Sequence, residues 1–303
     1  MSKVLIYSEN EKLARELMTA AAAMGDAKVL TVNDQALADA LAAAGASVLA
    51  VADDAVALGD TAAMADVVKQ AAEAAGASIV LLASNRRGKE LAGRVAQVMG
   101  AGCLTDVNGI AVSGDDIVCT RNALGGATVA EEKVTTDNQV IAVSPKSYPA
   151  AEGAGGSVEP FTVTAAATVK VLGTQPKGAE AVDISSADVL VCVGQGMESQ
   201  DAIPAVEELA KKLGGEVASS KPLATDRGWF SEARIVGISG TLCKPTLALT
   251  MGVSGQVQFV VGVRDAKTIV AVDTDENAPI FQFADYGLVA DMADVVPALT
   301  AAL

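Results

Sequence analysis

Short apolar runs that each stop at a small-residue turn recur along this chain, and that alternation restricts the fold more than any other feature. KVLIYS (3–8), KVLTV (28–32), SVLAVA (47–52) and SIVLLAS (78–84) read as strands. The Ala-rich segments between them, 10–24, 34–44 and 60–75, have helical composition and spacing. Strands alternating with helices predict right-handed βαβ units and a parallel sheet. NRRGKELAGRVAQVMGAG then sets Leu91, Val95 and Val98 on one face of a helix ending at Gly100, and further strands are expected at 116–120, 128–134 and 139–143.

From residue 150 to about 177 the pattern loosens into Gly, Ser, Ala, Thr and Pro, with one strand expected near 162–171. The boundary belongs there: an N-terminal α/β domain with its terminal linker over 1–178, and a C-terminal domain over 179–303. Periodicity resumes at ADVLVCVG from Ala187, followed by a helix over 200–213 that presents Ile203, Val206, Leu209 and Leu213. The expected class is α/β with two open, mainly parallel sheets, the C-terminal one Rossmann-like. Its ligand belongs beyond the carboxyl ends of the strands.

Composition removes several function classes. The chain has no histidine, so the usual general base near neutral pH and the commonest metal ligand are missing. The formal charge of −15 opposes a polyanion, and nucleic acid is not an expected partner. Cys103, Cys119, Cys192 and Cys243 form no C-x-x-C pair and read as buried free thiols. No apolar run is long enough to span a bilayer, so membrane insertion is not expected. MSKVLIYSEN runs directly into a strand without the pattern of an export signal, and the cytoplasm is the expected location. Trp229, Phe230, Phe259, Phe281, Phe283 and Tyr286 read mostly as packing residues.

The last third concentrates the candidate chemistry: VCVGQG from Val191, VASSKP from Val217, RIVGISG from Arg234, LTMGVSGQVQ from Leu249 and VAVDTDENAPIF from Val270. GQGMES starts like a dinucleotide turn but has Ser199 where G-x-G-x-x-G has its third glycine, a weak signal alone. Ser239 and Gly240 offer backbone N–H groups, as do Ser254, Gly255 and Gln256 at the start of an expected helix. Together with the Ser239 hydroxyl they form a pyrophosphate site that needs no basic residue. Lys221 can neutralise an anionic ring or a phosphate. Asp273 and Asp291 close strands, where an acid bonds ribose hydroxyls or simply caps a turn or helix.

From Gly194 to the C-terminus, GQG, SSKP with DRGW, RIVGISG, KPTLALTMGVSGQVQ, KTIVAVDTDENAPIFQFADYGLVAD and VVPAL resemble the large (alpha) subunit of electron transfer flavoproteins, the FixB-like branch included. NRRGKELAGRVAQVMGAGCLTDV and TRNALGGATVAE extend the resemblance into the first domain. It implies an FAD held by Gln195, Ser220, Lys221, Val236, Gly237, Ile238, Ser239, Ser254, Gly255, Gln256, Val257, Gln258, Phe259, Asp273, Asp291 and Met292. The family pattern puts Ser239 near the flavin N5, Ser254 to Gln258 around the flavin edge and pyrophosphate, and Asp273 with Asp291 at the adenosine end. It also implies a beta subunit carrying AMP or a second FAD, and an acyl-CoA dehydrogenase type redox partner.

The chain departs from that pattern at four of these positions. The family usually has Arg at Gln195 and Lys221, His at Phe259 and Asn at Asp273. Fewer positive donors imply a lower flavin potential or a poorly populated anionic semiquinone. Two other readings stay open: a nucleotide-binding scaffold or regulatory subunit without electron transfer, and a nicotinamide-dependent dehydrogenase. The broken glycine motif and the lack of a proton-transfer residue weigh against the second.

Overall fold

The computed structural model describes residues 2–114, 116–126, 128–173 and 182–303. The chain divides into two compact units, Met1–Thr174 and Gln175–Leu303. The boundary expected between 178 and 179 lies outside the described residues.

The first unit builds one sheet from β1 (Ser2–Tyr7), β2 (Gly25–Val32), β3 (Ser47–Val51), β4 (Ile79–Ala83), β5 (Gly102–Ser113), β6 (Asp116–Ala123), β7 (Thr128–Lys133), β8 (Gln139–Val143) and β9 (Ser157–Pro160). The strands lie in the order β7-β6-β5-β8-β4-β1-β2-β3-β9. All pairs are parallel except β5 with β6 and β6 with β7. Helices cover both faces because the strand side chains alternate. Val4 and Ile6 pack with Leu17 of α1 (Glu11–Ala21) and Leu41 of α2 (Gln35–Ala43). Leu5 and Tyr7 point the other way, towards Val67 of α3 (Thr61–Ala75) and Val95 of α4 (Arg86–Met99). Each helix starts at a side-chain cap: Asn10, Asp34, Asp60 and Asn85 accept from Leu13, Leu37, Ala63 and Gly88 N–H.

Two expectations fail in this unit. The strand near 162–171 is absent, and the chain pairs earlier, at β9 beside β3. Past Phe161, side chains rather than a ladder satisfy the backbone: Gln70 bonds Thr164 through both its amide atoms, and Asp60 accepts from Thr168 and Val169. The long strand β5 was not anticipated. A register shift between Val107 and Gly109 and the positive φ of Asp106 (58°) break its period-two pattern.

The second unit is a parallel sheet of β10 (Val189–Val193), β11 (Glu216–Ser219), β12 (Leu247–Met251), β13 (Thr268–Asp273) and β14 (Tyr286–Val289), ordered β11-β10-β12-β13-β14. α5 (Ile203–Lys212), α6 (Lys221–Thr225) and α8 (Met292–Ala302) share one core with Val191, Val193, Leu249 and Met251. On the opposite face Leu190, Cys192 and Ala248 pack with Phe259 and Val260 of the short α7 (Val257–Val260). Phe259 is thus a packing residue, and Trp229, Phe230 and Phe281 are partly buried, but Phe283 and Tyr286 are exposed. Among the described residues, no helix is long and apolar enough to cross a membrane.

Candidate functional site

In the second unit β11 and β12 flank β10 on opposite edges, so the winding reverses between β10 and β12. Such a reversal opens a crevice at the carboxyl ends of the strands. Here the two strands are stitched past their ends: Gly194 N–H donates to Met251 O at 3.1 Å, and Gly196 N–H to Gly252 O at 3.0 Å. A Cβ on Gly252, whose φ is +61°, would lie 2.7 Å from the Gly196 Cα, so neither position admits a side chain without opening the turns.

A cleft of about 780 Å³ lies at this crevice. Gln195, Ser220, Lys221, Val236, Ser239, Ser254, Gln256, Gln258, Phe259, Asp273, Asp291 and Met292, all expected from the sequence, line it together. Gly237, Ile238, Gly255 and Val257 do not. Gly255 serves packing instead: with φ at +85°, a Cβ there would sit 2.2 Å from Ile280 N. Gly237 contributes backbone, its N–H donating to Thr241 O. Ile238 and Val257 turn their side chains to solvent, 56% and 63% exposed.

The walls are rich in backbone donors. Among the described residues, the N–H groups of the lining residues Ser254, Gln256 and Gln258 have no backbone acceptor, because the chain turns from β12 into α7 without closing a ladder. The Ser239 N–H is likewise without one. The Gly240 N–H, expected to face a ligand, donates to Gly237 O at 3.0 Å and is spent inside its own turn.

The Ser220 hydroxyl is buried on the cleft wall and, among the described residues, has no hydrogen-bond partner, an arrangement that costs free energy until a ligand atom bonds it. Its neighbour Ser219 also has an orphaned hydroxyl but is fully buried and does not line the cleft. Lys221, the first residue of α6, is exposed and, among the described residues, is the single cation on the lining. Asp273 and Asp291 combine both readings of strand-end acids. One oxygen of each is engaged locally, Asp273 Oδ1 by Asp275 N–H at 3.0 Å and Asp291 Oδ1 by Ala293 N–H at 2.8 Å. The second oxygen of each is left to accept from the cleft. The thiol of Cys192, in the middle of β10, is pushed far up by burial and then by Cys243, so it supplies no thiolate here.

This set suits a flat cofactor joined through a pyrophosphate: backbone donors for the phosphates, hydroxyl and amide groups for ring edges, and carboxylates for ribose hydroxyls. Comparison with known proteins decides the family. The electron transfer flavoprotein FAD-binding domain matches residues 183–264, and the electron transfer flavoprotein domain matches 4–168. The chain is 34% identical to Protein FixB of Escherichia coli O127:H6 over 308 residues, covering 100% of this chain and 98% of the relative. It belongs to the electron transfer flavoprotein alpha-subunit family, FixB-like branch.

Protein FixB of Shigella dysenteriae serotype 1 matches equally, at 34% over 308 residues with 100% and 98% coverage. That of Escherichia coli O17:K52:H18 is 38% identical over 229 residues, 74% of this chain and 73% of its own. The electron transfer flavoprotein FAD-binding domain therefore coincides with most of the unit that carries the cleft. Sequence reasoning missed Glu198, Pro222, Thr225, Asp226, Val253, Thr274 and Ala290 on the lining. Glu198 and Thr274 each sit within a motif already singled out, so a signal existed. Thr225 and Asp226 reach the cleft only because α6 is a single turn and a half, which no periodicity reveals.

Proposed function

We propose that this chain is the FAD-holding large subunit of an electron transfer flavoprotein, acting with a beta subunit to carry electrons between a donor and an acyl-CoA dehydrogenase type partner. The observation that carries the reading is the buried, partnerless Ser220 hydroxyl beside a run of uncommitted backbone N–H groups in the cleft at the β10/β12 reversal. FAD, when bound, supplies reversible electron uptake and release.

The residues of this chain bind and tune rather than react. Ser254, Gln256 and Gln258 supply donors for the pyrophosphate and ring edge, and Asp273 and Asp291 accept from the adenosine-side ribose. Ser239 is an exposed residue of the lining, and Ser220 and Lys221 present a hydroxyl and a cation from the end of β11. Phe259 forms an apolar wall that excludes water without donating a hydrogen bond. Glu198, Asp226, Asp273 and Asp291 outnumber Lys221 around the cofactor, so extra negative charge on it is opposed.

The test is the purified heterodimer. Yellow protein with one FAD on this chain, bleached by dithionite and reoxidised by a partner, supports the reading. Colourless protein that retains AMP or ATP instead identifies a nucleotide-binding scaffold.

A further inference from the structure

Two loops that contribute to the lining of the cleft, one after β10 and one at the end of α6, are joined by a side chain that does not itself line it. Arg227 follows Asp226 directly, and its Nη1 donates to the carbonyl of Met197, the residue before Glu198, at 3.2 Å. Both Asp226 and Glu198 are lining residues. The bridge therefore has each foot one residue away from a wall. Its guanidinium is held in place by stacking: Cζ lies 4.6 Å from the centre of the Trp229 ring. That ring packs against the core shared by α5, α6 and α8.

The backbone around the bridge is fixed at both ends. After α6, Arg227 N–H donates to Pro222 O and Trp229 N–H to Leu223 O, with Gly228 in the left-handed region (φ 65°) completing the turn. On the far side Met197 is buried, and its N–H donates to Gly194 O, within the turn that Gly196 ties to Gly252. The turn carrying Gln195 and Glu198 is thus held by β12 on one side and by Arg227 on the other.

We infer that Arg227 is a positioning residue that clamps the turn carrying Gln195 and Glu198 to the loop carrying Thr225 and Asp226, thereby setting the width of the cleft mouth and the residence time of the cofactor. The inference rests on the FAD reading of the same cleft. A planar donor fork stacked on an indole suits this span, since the stacking fixes the plane of the fork before the hydrogen bond forms. Without it, the two loops are held by the pairing of β10 with β11, which ends where Ser220 N–H donates to Val193 O, and by the core that Met197 and Leu223 share, and the mouth opens more often. Release should quicken much more than association slows.

The test measures FAD release from the full heterodimer for wild type, Arg227→Gln and Arg227→Lys, followed by flavin fluorescence and by emission of Trp229, the chain's only tryptophan. Arg227→Gln is expected to release FAD about tenfold faster, as the loss of one charge-assisted hydrogen bond implies. Arg227→Lys should recover part of that loss, and the melting temperature of the flavin-free protein should move by less than about 2 °C. Equal release rates in all three proteins overturn the clamp while leaving the FAD reading intact. A flavin-free melting temperature that falls in step with faster release also overturns it, by showing a merely structural role. Wild-type protein that takes up no FAD overturns both.

Discussion

The Asp60 carboxylate holds Thr168, more than one hundred residues further along the chain, through the Thr168 N–H and hydroxyl, both at 2.6 Å. The same carboxylate caps α3 through Ala63 N–H and accepts from Val169 N–H at 3.0 Å. One acid thus starts a helix and pins the last described stretch of the first unit. The Thr168 hydroxyl first, then the backbone donors, hold its pKa well below the usual carboxylate range.

Because the folded-state pKa is depressed, the stabilisation is present above the ordinary carboxylate value and is lost as pH falls through the lowered one. Asp60→Ala should cost about 1 kcal/mol or more at neutral pH from the helix cap alone. The difference between variant and wild type should shrink steadily in acid. Urea denaturation at neutral pH and at the lowest pH where both proteins fold provides the check. An undiminished difference in acid would contradict the assignment to the ionised carboxylate.

Ser220→Ala should have opposite effects on the flavin-free and flavin-bound protein. Removing a buried hydroxyl without a partner leaves the flavin-free protein as stable or up to about 1 kcal/mol more stable. Affinity for FAD should fall by about tenfold. Thermal denaturation with and without FAD measures both, and a fall in flavin-free stability would show that the hydroxyl has a protein partner.

Phe259 is 7% exposed and belongs to the core beneath the cleft. Phe259→His should therefore destabilise the second unit by about 1–3 kcal/mol, since an imidazole is poorly accommodated among apolar side chains. It should also raise the flavin potential, by roughly 30 mV for each 1.4 kcal/mol of preferential stabilisation of the two-electron reduced form. Potentiometric titration reads the second effect, and an unchanged or lower potential would refute the claim that this wall withholds a donor.

Much of this was legible in the chain. Asn10, Asp34 and Asp60 marked helix starts that prove to be caps, and the Gly and Ser turns of the second unit do converge at the carboxyl ends of its strands. What escaped had non-local causes. β5 was hidden by a bulge, and β9 pairs with β3 from more than one hundred residues away. The commitment of the Gly240 N–H to Gly237 is a matter of turn geometry that the motif GISG does not specify. The Arg227 bridge joins two loops that only the fold brings together.

Gly252→Ala should separate the two turns at the reversal. Its Cβ would press on the Gly196 backbone, which has no flexible end to give way, and the position demands a positive φ. A cost of about 1–3 kcal/mol is expected from the backbone strain alone. Bound FAD should be lost in protein that still folds, as measured by circular dichroism and flavin content. Retention of full flavin content would show that the turns are not part of the site.

The FAD reading is tested most sharply by an FAD titration of flavin-free protein carrying Lys221→Gln, in the proposed complex with a beta subunit and set beside wild type over a range of salt concentrations. Because Lys221 is the single cation on the lining among the described residues, one FAD should bind to this chain, with about tenfold or greater weakening in the variant. The salt dependence of binding should also flatten in the variant. Equal affinity and equal salt dependence in the two proteins would place the cofactor elsewhere and contradict the account.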